Sequence, residues 1–258
     1  MKRLFPAFIA IILFLGCDGS SDSGNGGTGP LGADAYFPLQ IGNWWRFGGI
    51  ETDSLDNPIP GTEYVHSTTV VGDTIISDHT YYMMLDSMNM GGSWHLEELQ
   101  FVRLEGDTIK FLMSFFDESS ALYDVNMVIL PYDVGETWNA ITLDTVMENP
   151  IGDPLNVSLQ ITGELLATGP VTVPVGTLEN AVHIGHVAAI EISNPDTSIS
   201  FISEIKFWLA PDIGQVRQYE APFTGPDGYE NGLLEELTDF AIAPPPTAAP
   251  LIPNLDTE

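Results

Sequence analysis

From about Asp34 to Ile242, short runs rich in Val, Ile, Thr, Tyr and Phe alternate with Gly, Asp, Asn and Pro. No other feature constrains the fold as strongly. Runs of this length and makeup read as β-strands, and the residues between them have the chemistry of tight turns. In the first half the strands are read as Tyr64–Val71, Thr74–Ile76, Thr80–Leu85, Leu99–Leu104, Thr108–Phe115 and Leu122–Leu130. In the second half they are Asn156–Thr162, Val171–Val173, Ala181–Ile192, Ser198–Leu209 and Gln215–Tyr219. Val71-Gly72-Asp73, Glu105-Gly106-Asp107 and Pro211-Asp212-Ile213-Gly214 are read as turns. Links this short predict antiparallel neighbours, because parallel strands need long crossovers. The expected fold class is mainly β, an antiparallel curved sheet or half-barrel-like architecture. Only Leu233–Ile242 is ambiguous, with apolar spacing that suits a helix as well as a strand.

The chain also repeats itself. Pro38–Trp45 and Pro131–Trp138 both follow P-x-x-[IV]-G-x-x-W, and each is followed by strands and then by an aromatic-rich hairpin. The hairpins are Phe101–Phe111 and Phe207–Arg217. The matched order predicts two similar β units, about 36–118 and 129–221, that share a core.

Three segments carry a resemblance: Phe37–Trp45 (F-P-L-x-x-G-x-x-W), Val173–Asn180 (V-P-x-G-T-x-x-N) and Trp208–Val216 (W-x-A-P-x-[IV]-G-x-V). Their order resembles that of a widespread, largely uncharacterised group of bacterial envelope lipoproteins. Such chains often close with a strand of E-L-x-x-[YF] type. The resemblance therefore implies a final strand through Glu236–Phe240. It implies no catalytic activity, since the motifs are architectural.

The N-terminus fits that resemblance. Met1-Lys2-Arg3 precedes the apolar run Leu4–Gly16, and Cys17 follows directly as the only cysteine. Phe14-Leu15-Gly16-Cys17 resembles a lipobox, with Phe14 where Leu is usual. The resemblance implies cleavage of residues 1–16, acylation of Cys17 and attachment to a membrane. An ordinary secretory signal that contains a cysteine is the alternative. Residues 17–33, mostly Gly, Ser and Asp, read as a flexible tether. The β-rich domain is expected over 34–242, and the Pro-rich stretch 243–258 reads as a disordered tail. The expected location is the bacterial cell envelope, periplasmic or surface-exposed.

Charge narrows the partners. The formal net charge of the full chain is −29, and with Lys2 and Arg3 in the leader only Arg46, Arg103, Lys110, Lys206 and Arg217 oppose 36 acidic residues. Such a chain repels phosphate backbones, so nucleic acid is excluded as a partner. No cofactor is expected. Calcium is the one cation considered, at Asp227, Glu230 and Asn231 in the turn-rich loop Gly225–Gly232. His183 and His186 lie three apart on a strand, so their rings point to opposite faces and cannot share an ion. Gly91-Gly92-Ser93-Trp94-His95 reads as a Gly-rich loop, since a nucleophile elbow needs the full G-x-S-x-G. The acidic pairs Glu97-Glu98, Asp117-Glu118 and Glu235-Glu236 read as solvated faces. Trp44, Trp94, Trp138 and Trp208 are the set that would line an apolar pocket, if one exists. The expected role is non-enzymatic, binding or structural, with an apolar ligand or an envelope protein as partner. The alternatives are a carrier of apolar ligands such as lipids, and a secreted hydrolase acting on glycans, which would need two opposed carboxylates.

Overall fold

Each alternating run becomes a strand paired with the next in sequence, as short connections require. A computed structural model describes residues 31–115, 121–130, 133–148, 154–195, 197–225 and 228–243. Cys17, most of the tether and almost all of the tail lie outside these residues. A first meander comprises β1 (Trp44–Thr52), β2 (Tyr64–Ile76), β3 (His79–Met90), β4 (Ser93–Glu105), β5 (Thr108–Met113) and β6 (Tyr123–Ile129). A second comprises β7 (Thr137–Glu148), β8 (Pro154–Val173), β9 (Gly176–Ser193), β10 (Ser198–Ala210) and β11 (Gly214–Glu220). A small ribbon, β12 (Phe223–Gly225) with β13 (Gly228–Glu230), leads to β14 (Gly232–Ala241). β14 lies between β1 and β11 and joins the meanders into one antiparallel sheet of 12 strands. The sheet curls into a nearly closed half-barrel.

Leu233–Ile242 is thus a strand. Val71-Gly72-Asp73, read as a turn, is not one. The register shifts between Val70 and Gly72 inside a single long strand, β2. A bulge of this kind bends a strand so that it can follow a curved wall. The chain reverses instead at Ser77 and Asp78, whose φ values of +50° and +66° suit a two-residue hairpin loop. Asn156–Thr162 and Val171–Val173 likewise fuse into the 20-residue β8, with irregular register between Leu165 and Ala167 and between Gly169 and Val171.

The two P-x-x-[IV]-G-x-x-W segments make the same backbone bonds. Gly42 N–H donates to Val70 O, Val70 N–H to Asn43 O, and Asn43 N–H to Gln40 O. In the second copy Gly135 donates to Leu165, Leu165 to Glu136, and Glu136 to Asp133. Gly42 and Gly135 have φ of +96° and +88°, a conformation glycine adopts without a Cβ penalty. Each motif ends on a buried tryptophan whose indole bonds to the other half of the chain. Trp45 Nε1 donates to Ile213 O at 2.6 Å, and Trp138 Nε1 donates to Asn126 O at 2.9 Å.

Inward residues of both meanders form one core, with Phe47, Met84, Val102, Ile184 and Phe207 fully buried. A short 3-10 turn, Ala33–Tyr36, followed by the buried Phe37 and Leu39, plugs the end where the β10–β11 turn lies. It is pinned there by Tyr36 Oη donating to Asn180 O and by Asp212 N–H donating to Ala35 O. The opposite side of the barrel is a seam. β6 and β7 are the two edges of the sheet and form no ladder with each other. The Trp138 indole spans them, lying over Gly163, where a Cβ would fall within the ring.

Trp138→Phe keeps most of the apolar bulk and removes the bond to Asn126, an expected loss of ~0.5–1.5 kcal/mol. Native-state hydrogen exchange should then quicken in β6 and β7 while β1 and β14 keep their protection. Equal acceleration in every strand would rule out a local seam.

Candidate functional site

The densest chemistry lies inside the barrel, where β2, β3, β11 and β14 each turn polar side chains inward. Alternation along β2 sends Tyr64, His66, Thr68 and Val70 to the interior, and His66 and Thr68 are fully buried. From β14 comes Glu235, 1% exposed, and from β3 Asp86, also 1% exposed. His66 Nδ1 lies 3.2 Å from Glu235 Oε1, and its Nε2 lies 3.7 Å from Asp86 Oδ1. Tyr64 Oη donates to Glu235 Oε1 at 2.8 Å, and Thr68 Oγ1 donates to Asp86 Oδ1 at 2.5 Å. Gly49, opposite Glu235 in the ladder, makes room for the phenol, because a Cβ there would fall within the Tyr64 ring. On β11, Gln215 donates to Gln218, which donates to the buried Glu220.

Three carboxylates and one imidazole thus share an interior with no Lys or Arg among them, and protons balance the charge. Burial would lower the pKa of His66, but the Glu235 carboxylate and Asp86 outweigh it and raise it to about 9. Burial, reinforced by Glu235, pushes Glu220 up to about 8. Burial also raises Asp86, against the opposing pull of His66 and Thr68. The Tyr64 phenol is driven well above its usual range by burial and then by Glu235. His66 stands between two carboxylates and gives each a different ring nitrogen. The acids therefore hold the imidazole rather than a shared ion. No group of three or more His, Cys, Asp or Glu side chains among the described residues is placed to hold a metal.

Glu235 corrects an expectation. It was read with Glu236 as a solvated pair, yet adjacent residues on a strand face opposite sides. Glu236 faces outward and pairs with Arg217, while Glu235 shares its side with the buried Leu237. That alternation is visible in Leu233-x-Glu235-x-Leu237 and was the available signal. Nothing in the sequence marks His66, whose partners are 20 and 169 residues away.

Trp44, Trp94, Trp138 and Trp208 are not brought together. Trp138 points inward and meets His186 edge-on at 5.8 Å. Trp44 is half-buried on the outer face beside the Arg46 guanidinium, and its neighbour Trp45 takes the inward place at 1% exposure. Trp208 lies outside, stacked on His183 at 4.0 Å and 5.3 Å from the Arg217 guanidinium. Trp94 is exposed near the β3–β4 turn, where Gly91 and Gly92 have positive φ and Ser93 opens the strand.

His183 and His186 face opposite sides of β9. Burial, with Lys206 and Arg217 nearby, lowers His183 to about 4, and burial lowers His186 to about 4, so both are neutral at physiological pH. His186 faces the Met127 backbone beside an interior void of about 30 Å³. A concavity of about 360 Å³ lies outside on β7–β9, lined by Asp144, Val146, Asn156, Ser158, Glu191 and Ser193. Of the calcium candidates, Asp227 lies outside the described residues, as do Asp117 and Glu118 of the acidic pairs. Glu230 is exposed, and the Asn231 side chain donates to Glu51 at 2.6 Å.

No protein-family model and no curated protein matches the sequence. Among solved structures, the chain is similar to a presumed lipoprotein from Parabacteroides distasonis, at 13% identity and a TM-score of 0.50. It is also similar to a presumed exported protein with a YmcC-like fold from Bacteroides fragilis, at 14% identity and a TM-score of 0.45. Both likenesses cover 80% of this chain and 98% of the other. At 13% identity the first is a likeness of fold alone.

His66 and Glu220 bind their protons more tightly folded than unfolded, so the stability each adds is full at low pH. The part due to Glu220 is lost as pH rises from 4.5 to about 8, and that due to His66 from 6.5 to about 9. In thermal melts, Glu220→Gln should show a shallower fall in Tm than the wild type up to about pH 8. Parallel curves would rule out Glu220 as the group that titrates. His66→Ala leaves two buried carboxylates without their cation and should cost ~3–5 kcal/mol in denaturant melts.

Proposed function

We propose that this chain is a lipid-anchored protein of the bacterial cell envelope, periplasmic or surface-exposed, with a non-enzymatic binding or structural role. The observation that carries this reading is the packed apolar core of the described residues. The hollow beside His186 is only about 30 Å³, and the concavity of about 360 Å³ on the outer face is open and lined by Asp144, Asn156, Ser158 and Glu191, which do not suit a lipid chain. A lipid carrier needs a ligand-sized cavity, typically ~300–1,000 Å³. A glycan hydrolase needs two carboxylates facing an open cleft. Asp86 and Glu235 are sealed around His66 away from solvent, while Asp144 and Glu191, which line the outer concavity, stand on strands separated by β8. The outer face is left for contact with partners. The lipobox-like Phe14–Cys17 and the Gly/Ser/Asp stretch supply the anchor and tether.

Two measurements test the reading. The mature N-terminal peptide should carry acyl mass on Cys17, and Cys17→Ser should release the protein from the membrane fraction. Native mass spectrometry of the purified chain, offered extracted lipid, should show no stoichiometric adduct beyond the anchor. A retained lipid would favour the carrier instead.

A further inference from the structure

Along part of β4 and the adjoining part of β3 the outer face of the wall is apolar. In an antiparallel sheet with one solvated face, polar residues are expected outside and apolar residues inside. On β4 the outward row is Trp94, Leu96, Leu99 and Phe101, with the extra residue Glu97 absorbed at a bulge opposite Asp86 and Ser87. The inward row of β4 at this level is polar, with His95 and Glu98 themselves exposed, while β3 turns Met84 and Met88 inward on either side of Asp86. Glu98 lies opposite the buried Asp86, and Gln100 lies opposite Met84. Leu85, opposite Leu99, and Met83, opposite Phe101, carry the apolar stripe onto β3. Trp94, Leu96 and Leu99 are 49%, 68% and 42% exposed.

The molecule contains its own control. β10 holds the corresponding place in the second meander, and its outward row is Ser198, Ser200, Ile202, Glu204, Lys206 and Trp208. That row is mainly polar, as a solvated face should be, so the fold does not require an apolar outer row at this position. Contiguous exposed apolar surface marks a site of contact.

We propose that the outer face of β3 and β4 docks on the bilayer surface that holds the Cys17 anchor. This inference rests on the anchor proposed above. The described chain begins at the foot of these strands, where a Cβ on Gly32 would touch the Asp107 side chain in the β4–β5 turn. The segment from Cys17 to Leu31 can extend to at most ~50 Å. The stripe from Trp94 to Phe101 is about 23 Å long at strand rise. The anchor can therefore lie under any part of the stripe. An anchored domain meets the surface at high effective concentration, so a modest apolar area suffices for docking. Trp94, near the hairpin tip, is a residue type favoured at the headgroup level. With a net charge of −29, two copies of the chain repel each other. For the same reason, docking is stronger on zwitterionic than on anionic lipid.

The test uses the full acylated chain in phosphatidylcholine vesicles with brominated acyl chains, which quench tryptophan near the bilayer. Quenching of the wild type is expected, with most of it lost in Trp94→Phe. Leu96→Ser with Leu99→Ser should abolish it while the thermal melt and vesicle cofractionation stay unchanged. Quenching that persists undiminished in Trp94→Phe would overturn the proposal, as would an unquenched wild type that cofractionates with vesicles. So would a photo-crosslinker at position 96 that captures protein rather than lipid in native membranes, or a dimer in solution that the double variant dissolves. The mass of the Cys17 peptide reads the anchor separately. Trp94-dependent quenching without acylation would sink the anchor and keep the docking face. Acylation without quenching would do the reverse.

Discussion

The backbone ladders of β14, with β1 on one side and β11 on the other, join two meanders into a single curved wall, and the rest of the structure follows from that insertion. Because β14 fills this junction, β6 and β7 are left as the edges on the far side. An open edge invites pairing with other chains, and here an indole from β7 ties it to a carbonyl of β6. The insertion also carries Glu235 into the centre of the barrel. A lone carboxylate there would be costly, and His66 and Tyr64, both from β2, are what make it tolerable. The interior cluster thus serves the join between the halves before it can serve any chemistry.

Along β3 and β4 the buried Asp86 and the apolar outer row are linked by strand alternation. The strand that carries Asp86 inward carries Leu85 and Met83 outward, and β4 does the same with Glu98, Gln100 and its apolar row. A side-chain period of two means that a polar interior stripe can displace apolar residues to the exterior. Buried polar groups also lie on β2, β11 and β14, and single apolar residues such as Val146 and Ile202 are exposed elsewhere, but on β4 four apolar residues follow one another in a single outward row.

Much of the wall was legible in the residues. Turn chemistry located the Glu105–Asp107 and Pro211–Gly214 reversals, and the P-x-x-[IV]-G-x-x-W motif marked two segments with matching bonds. Gly72 was misleading, because a glycine serves a bulge as well as a turn and only the strand partner distinguishes the two. Four tryptophans suggested one pocket, yet they scatter between the core, the outer face and a hairpin tip. An aromatic ring suits each of those places, and composition does not separate them.

By itself the sequence determined the antiparallel β class and the short-range pairings, because strand alternation and turn residues act over a few positions. The order of strands around the barrel was decided only in three dimensions. So were the place of β14, the seam at β6 and β7, and the meeting of His66 with Glu235. The place of β14 and the His66–Glu235 contact join residues more than a hundred positions apart, for which local pattern carries no signal, and the seam follows from that placement. The face on which each alternating row fell was decided in the same way. Alternation says that two rows differ, and only the closed wall says which of them is inside.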